Sequence, residues 1–553
     1  MALHPGGHLV VSGQEEGHHG VREEEGAHCR VWNVFTMETK AIIGVGHCHG
    51  GIAGVSFSVP NDGEFVVMVD RSKESTLSVW DWNSSNRLAE VTMNTDNVSG
   101  VTFHPFDSNL LITYGSGGHL TFWNRKKDGF FARADVGEEE GDTSLTYTCV
   151  TFLESGDLVA GNSEGEVSVF TVSRDGEYYK SMAVQAHSHG VSALLALGDG
   201  ILVSAGLDDG QLVGWDTTQD FNKLAEAKLP ARAGAGMALC KCMPGSEDSS
   251  IYVGTSKNLI MEGRLQRRFK VVLFGHANQI SSLTTHWPPT DETFASGGTD
   301  KLVVLWHKNR LVWKVLLQTE PTALAFPPEG NVLVVGTVDG FVVVLNADTG
   351  IHVNTIKVCG ATISAIKFNV DGEKFAAASS TGTVYLYKVV RDDFRSLGKL
   401  SGGLELTALD WDQKGDYVQT SSKDLNLQFW NTNTFKEEKV ASLLREKTWV
   451  ESSCLVGWAV AGVWGNENYS GPTTITTVHS SPTAAILATG DSEGSLRLFP
   501  HPCTSPRTGF HQERLLSSQV KVVRILGDTH ILAAGGKQGT IFKFELKTRC
   551  DGQ

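Results

Sequence analysis

The chain has 553 residues, 41% of them hydrophobic and 20% charged, and a formal net charge of −15. That length exceeds what one hydrophobic core serves, so two or more domains are expected, and the acidic balance disfavours nucleic acid and other polyanions as partners. Sixty glycines against 15 prolines, without a collagen period, point to many tight turns and hence many short strands.

The first residues, MALHPGGHLV, have no basic run and no long apolar core, so they do not read as a signal peptide. Histidines are dense near the start: His4, His8, His18, His19, His28, His47 and His49. GHCHGG around Cys48 invites a metal reading, but no zinc-ligand spacing is complete, and no metal or cofactor is expected. The nine cysteines are scattered without a Cys-x-x-Cys pair, which fits reduced thiols in the cytosol.

One pattern then recurs down the chain. A short apolar strand leads into a Gly-, Asp- or Ser-containing turn. A second strand follows, ending in an aromatic residue or an apolar substitute. These ends are Trp32, Trp80, Trp123, Phe170, Trp215, Met261, Trp306, Leu345, Tyr387, Trp430, Phe499 and Phe544. Their spacings run 48, 43, 47, 45, 46, 45, 39, 42, 43, 69 and 45. A period near 40–45 residues with Trp-Asp-like strand ends marks four-stranded propeller blades. Twelve copies exceed the usual four to eight blades of one ring, so an all-β fold of two tandem WD40-type propellers of about six to seven blades each is expected. Leu3-His4-Pro5 matches Phe103-His104-Pro105, the end of an innermost strand, so the first blade is expected to start inside that strand. The last copy stops before an outer strand.

The sixth copy, VGTSKNLIMEG, has lost its aromatic and acidic residues, which sets the boundary between an N-terminal propeller, 1–265, and a C-terminal propeller, 266–553. GRLQRRFK follows, gathering Arg264, Arg267, Arg268 and Lys270. This reads either as a charge-blunted edge strand or as a patch for an acidic partner. In the seventh copy His276, Ser296, Asp300 and Trp306 stand at the spacing of the WD-repeat tetrad, a hydrogen-bonded chain that ties one blade together. The same residue types make a Ser-His-Asp triad, but a triad also needs exposure and an oxyanion site. The set is read as structural, and no catalytic residue is assigned. The tenth copy keeps Thr420, Asp424 and Trp430 and lacks the histidine.

The 69-residue interval holds CLVGWAVAGVW, Cys454 to Trp464, eleven residues without a charge. A membrane-spanning helix needs about 17–25 apolar residues, so the stretch is too short to cross a bilayer. It is read as extra strand material, part of an insertion around 445–475, with Trp458 and Trp464 buried in the second propeller or at its seam with the first.

The order of these pieces resembles the echinoderm microtubule-associated protein-like family. The resemblance covers essentially the whole chain and rests on AIIGVGHCHGGIAGVSFS (41–58), TLSVWDWN (76–83), VTFHPFDSNLLITYG (101–115), VGTSKNLIMEG (253–263), ALDWD (408–412) and above all CLVGWAVAGVW (454–464). It implies tightly joined tandem propellers, association with tubulin or microtubules in the cytoplasmic cytoskeleton, and no enzymatic activity. Family members typically carry an upstream hydrophobic motif, and many a coiled coil and a basic linker. This sequence shows none of the three, so a monomer is expected. The competing reading is a general WD-repeat adaptor in signalling or ubiquitin transfer, without tubulin contact; neither reading involves a membrane.

Overall fold

The computed structural model describes the chain except for residues 15–26, 49, 94, 96, 136–143, 175–176, 242–249, 287–291, 391–392, 446, 465–473, 516–517, 528, 537–538 and 547–553. Among the described residues the strands form twelve antiparallel sheets, eleven of four strands and one of three, each meandering in chain order. The chain divides into two compact units, Met1–Phe274 and Gly275–Gln553. Sheets spanning 2–43, 52–92, 98–135, 147–185, 191–228 and 236–273 build the first unit. Sheets spanning 280–316, 321–357, 363–401, 406–437, 475–514 and 520–545 build the second, and the last of these is the three-stranded one. This is the architecture of two β-propellers, six sheets in each.

The strand pattern follows from where each strand lies. Second strands are sandwiched between neighbouring sheets, and Thr293–Gly298 is buried throughout. Their small residues let the sheets close on one another. Outermost strands face water on one side, so Tyr178–Gln185 alternates half-buried with exposed along its length. Aliphatic clusters glue each sheet to the next; Val159, Val169, Val191, Leu202 and Val213 join the sheets at 147–185 and 191–228. In the second unit Ile280, Leu283, Phe294, Val522, Leu532 and Ala534 join its first and last sheets, which closes that ring. Burying each Val, Leu, Ile or Phe of these clusters is worth about 1.5–3 kcal/mol.

A polar stitch repeats beside these clusters. Several innermost strands carry a β-bulge whose extra residue is Ser or Thr, for example Thr148, Ser192, Ser281, Thr322 and Thr476. Each hydroxyl lies within hydrogen-bond reach of two carbonyl oxygens, one in its own sheet and one in the next sheet. Ser192 reaches Ala205 and Gly236, and Thr322 reaches Gly336 and Ile363.

The first strand, Ala2–Leu3, is two residues long and pairs with Leu9–Gly13. The basic segment after Gly263 stays within the first unit: Lys270–Leu273 is the outermost strand of the sheet at 236–273 and pairs with Ile260–Gly263.

The long interval stands between the sheets at 406–437 and 475–514. The stretch expected to be a strand is a 3-10 helix, Trp458–Trp464. Its burial has a three-residue rhythm: Val460 and Val463 are buried, while Trp458 and Ala461 are exposed. Val460 and Val463 pack on Ile475, Val478, Leu487, Phe499 and Cys503. The backbone N–H of Gly462 donates to Cys503 O and that of Cys503 to Ala459 O, both at 2.8 Å. Just upstream, an isolated bridge joins Trp449 to Asp412, and Val450 N donates to Trp411 O at 2.9 Å, so the insertion runs beside the innermost strand Leu406–Trp411.

Candidate functional site

The tetrad residues of the seventh sheet meet. Trp306 Nε1 donates to Ser296 Oγ at 2.8 Å, Ser296 Oγ lies 2.8 Å from His276 Nε2, and His276 Nδ1 lies 3.0 and 3.1 Å from the Asp300 carboxylate oxygens. That carboxylate also accepts the backbone N–H groups of Ala277 and Leu302 at 2.9 and 3.1 Å. Burial alone would raise the Asp300 pKa, but the hydrogen bonds and charge of His276, with those two N–H groups, hold it below the usual value. Ser296 is fully buried and its oxygen accepts the indole N–H, so no face of that hydroxyl is open to a substrate.

A second complete set escaped the sequence reading. His187 Nδ1 lies 2.9 Å from Asp209 Oδ2, His187 Nε2 lies 2.9 Å from Ser204 Oγ, and Trp215 Nε1 donates to the same oxygen at 2.9 Å. The signal was present as His187, Ser204, Asp209 and Trp215, with His and Ser 17 apart instead of 20. The tenth copy is incomplete in space as in sequence. Trp430 Nε1 donates to Thr420 Oγ1 at 3.1 Å, but Asp424 is exposed in the turn and takes no part.

The basic residues lie at the outer edge of the sheet at 236–273. Arg264 is half-buried, Arg267 and Arg268 are exposed in the turn, and Lys270 begins the edge strand, beside exposed Val271, Val272 and Leu273. Among the described residues the early histidines gather into no group that could hold a metal ion. His4 packs edge-on against Phe57 and Trp82, His8 lies beside His4, His28 is buried, and His47 leans on Trp80. His18, His19 and His49 lie outside the described residues.

The insertion corrects one expectation. Trp464 is half-buried and its Nε1 donates to Leu455 O at 2.8 Å, but Trp458 is 47% exposed, with the Arg445 guanidinium 5.0 Å from the ring centroid. The three-residue turn puts Trp458 on the face opposite Val460 and Val463, which explains why it does not enter the core. Two polar clamps hold the segment before it. Buried Asp410 accepts the backbone N–H groups of Ser453 and Cys454, the Ser453 hydroxyl and the Gln419 amide. Glu451 pairs with Lys367, and His479 Nε2 lies 3.4 Å from its carboxylate. Burial would raise the Glu451 pKa; Lys367, His479 and Arg524 pull it well below the usual carboxylate range. Desolvation lowers the His479 pKa despite that carboxylate.

Residues 1–263 match the family model described as the first β-propeller of echinoderm microtubule-associated protein, and 280–546 match the model of its second β-propeller. The chain belongs to this family. The echinoderm microtubule-associated protein family is also where its curated relatives lie. The chain is similar to rat echinoderm microtubule-associated protein-like 2, at 33% identity over 552 residues that cover 99% of this chain and 83% of the relative. It is similar to mouse echinoderm microtubule-associated protein-like 1 at 30% identity, covering 99% of this chain and 66% of the relative. The 77 kDa echinoderm microtubule-associated protein of Strongylocentrotus purpuratus matches at 28% identity, covering 99% and 78%.

Proposed function

We propose that this chain is a non-catalytic microtubule-associated propeller protein of the cytoskeleton, a scaffold that binds tubulin, microtubules or proteins seated on them. The observation that carries the reading is a match to the family's two propeller models across both units, joined by relatives whose names say microtubule-associated. The buried hydroxyls of both tetrads support a scaffold, because each is consumed in holding a blade together. Among the described residues no helix is long and apolar enough to cross a membrane. The net charge of −15 favours contact through a local surface rather than through the field of the whole body. The test is pelleting of the purified chain with microtubules beside a binding assay with tubulin dimers. Binding in either assay is expected, and no binding in both would overturn the tubulin reading.

A further inference from the structure

Three sulfur atoms meet in the core of the first unit, where the sheets at 2–43 and 52–92 pack together. Cys29 Sγ lies 3.6 Å from Met68 Sδ, and Cys48 Sγ lies 3.9 Å from the same atom. Cys29 opens the strand Cys29–Asn33, Met68 lies within Phe65–Asp70, and both are buried. Cys48 is half-buried at the end of the exposed turn Val45–His47, which gives the group a route to solvent. Both cysteines are free thiols. The backbone closes over the group at Gly44, whose φ is +84°. A Cβ there would stand 2.6 Å from Met68 Cε, 3.0 Å from Met68 Sδ and 3.3 Å from Cys48 Sγ, so only glycine lets the chain lie this close to two of the sulfurs. The spacing of GHCHGG could not show this group, because the partners of Cys48 stand far from it in sequence, one on each side. Among the described residues no three His, Cys, Asp or Glu side chains gather around a metal position. The third donor here is a thioether, and its softness decides which metal fits.

We propose that Cys29, Cys48 and Met68 form a copper(I) site. A metal–thiolate bond is about 2.3 Å long, so sulfurs that share one ion stand about 3.8–4.0 Å apart. The two separations at Met68 are already close to that. Thiolate and thioether donors are soft and select Cu(I). Zinc instead takes four donors of thiolate, imidazole or carboxylate type, and calcium and magnesium take oxygen. On binding, two S–H bonds break, and two copper–thiolate bonds and one copper–thioether bond form. The two protons leave to solvent. Copper stays Cu(I) throughout, so no oxidant or reductant is consumed. The ion ties the strand Cys29–Asn33 and the turn before Cys48 to the neighbouring sheet through Met68, so its binding free energy adds to the stability of the first unit. The inference goes beyond the scaffold function proposed above and does not depend on it.

The experiment titrates the full chain with Cu(I) alone, without oxygen, against the chelator bathocuproine disulfonate. Cys240 is exposed and Cys242 follows two residues on, so the titration is repeated in a chain carrying Cys240→Ser and Cys242→Ser, which removes that competing pair. Both chains are expected to retain one Cu(I) against the chelator, with X-ray absorption showing sulfur neighbours at about 2.3 Å and no nitrogen. Zn²⁺ alone should not displace the copper. Met68→Leu nearly conserves volume, so the core stays filled. It should weaken copper retention at least about tenfold, the cost of losing even an outer partner of a metal site. Cys48→Ala should abolish retention, and Met68→Leu reads the same site should Cys48→Ala fold poorly. No copper retained by the parent, or copper retained equally by Met68→Leu and Cys48→Ala, overturns the inference. So does copper that is lost together with Cys240 and Cys242, which would be an adventitious ion only. Tubulin takes no part in the titration, so a failure here leaves the proposed function standing.

Discussion

Asp300 and Asp209 hold equivalent places in two blades, one in each unit. Each carboxylate fixes a histidine whose other ring nitrogen meets a buried hydroxyl, so removing it leaves polar groups without their partner. Asp300→Ala should cost about 1–3 kcal/mol, and Asp209→Ala a similar amount. Thermal unfolding followed by tryptophan fluorescence reads both losses, and a variant that melts with the parent would contradict the tying role. The pH dependence has a definite sign. The Asp300 pKa is lowered in the fold, so its contribution is present above the unfolded value of about 3.9 and is lost as pH falls through the lower folded value. One tetrad was legible in sequence and the other was not, for a local reason. In both blades the histidine stands four residues before the innermost strand, at Ile280 and Val191. The hairpin that follows is two residues long at Asp199-Gly200, but seven long between Thr285 and Thr293, so a fixed spacing template finds only the second.

The insertion is the element where sequence and structure part most. Its apolar character and its place in the chain were legible; its backbone conformation was not. A stretch apolar on every side shows no period, so the rhythm that buries Val460 and Val463 is hidden by Trp458 and Ala461 on the other face. Gly462 marks the close approach. A Cβ there would meet Ser505 O at 2.5 Å and Ser505 N at 2.8 Å, all backbone, which cannot swing aside. Gly462→Ala should therefore destabilise the second unit by about 1–3 kcal/mol, with the melting midpoint as the readout, and an unchanged midpoint would show that the helix is not docked this way. The Glu451 clamp adds a pH dependence. The His479 pKa is lowered in the fold, so its contribution is present above the unfolded value of about 6.5 and is lost as pH falls through the folded value. The Glu451 pKa is also lowered, and its contribution begins to fade below the unfolded value of about 4.3. Urea unfolding of the second unit should thus weaken in two stages between about pH 6.5 and pH 3, and His479→Gln should remove the first stage. A flat profile between pH 7 and 5 in the parent would contradict the clamp.

At the scale of the whole molecule, the repeat made the architecture readable, because a blade is one supersecondary unit written twelve times. The bulge hydroxyls were not readable, since Ser and Thr are common in strands and only the register shows which one reaches the next sheet. Net charge was readable from the start, and it sets how the protein would meet the microtubule or tubulin partner proposed for it. Beyond about 10 Å, the Debye length near 0.1 M salt, such a partner meets the field of the whole chain, which is negative. Only inside that distance can a local cationic group of the chain act on it. The two ranges respond to salt in opposite directions. Raising salt screens the long-range repulsion, so the association rate with tubulin should rise, by about two- to tenfold between roughly 20 and 150 mM. The same salt weakens the local ion pairs once contact is made, so the dissociation rate should rise as well. Stopped-flow mixing with tubulin dimers separates the two rates. An association rate that falls steadily with salt would mean that a cationic surface governs the encounter from a distance, and the acidic body would then be a bystander to binding.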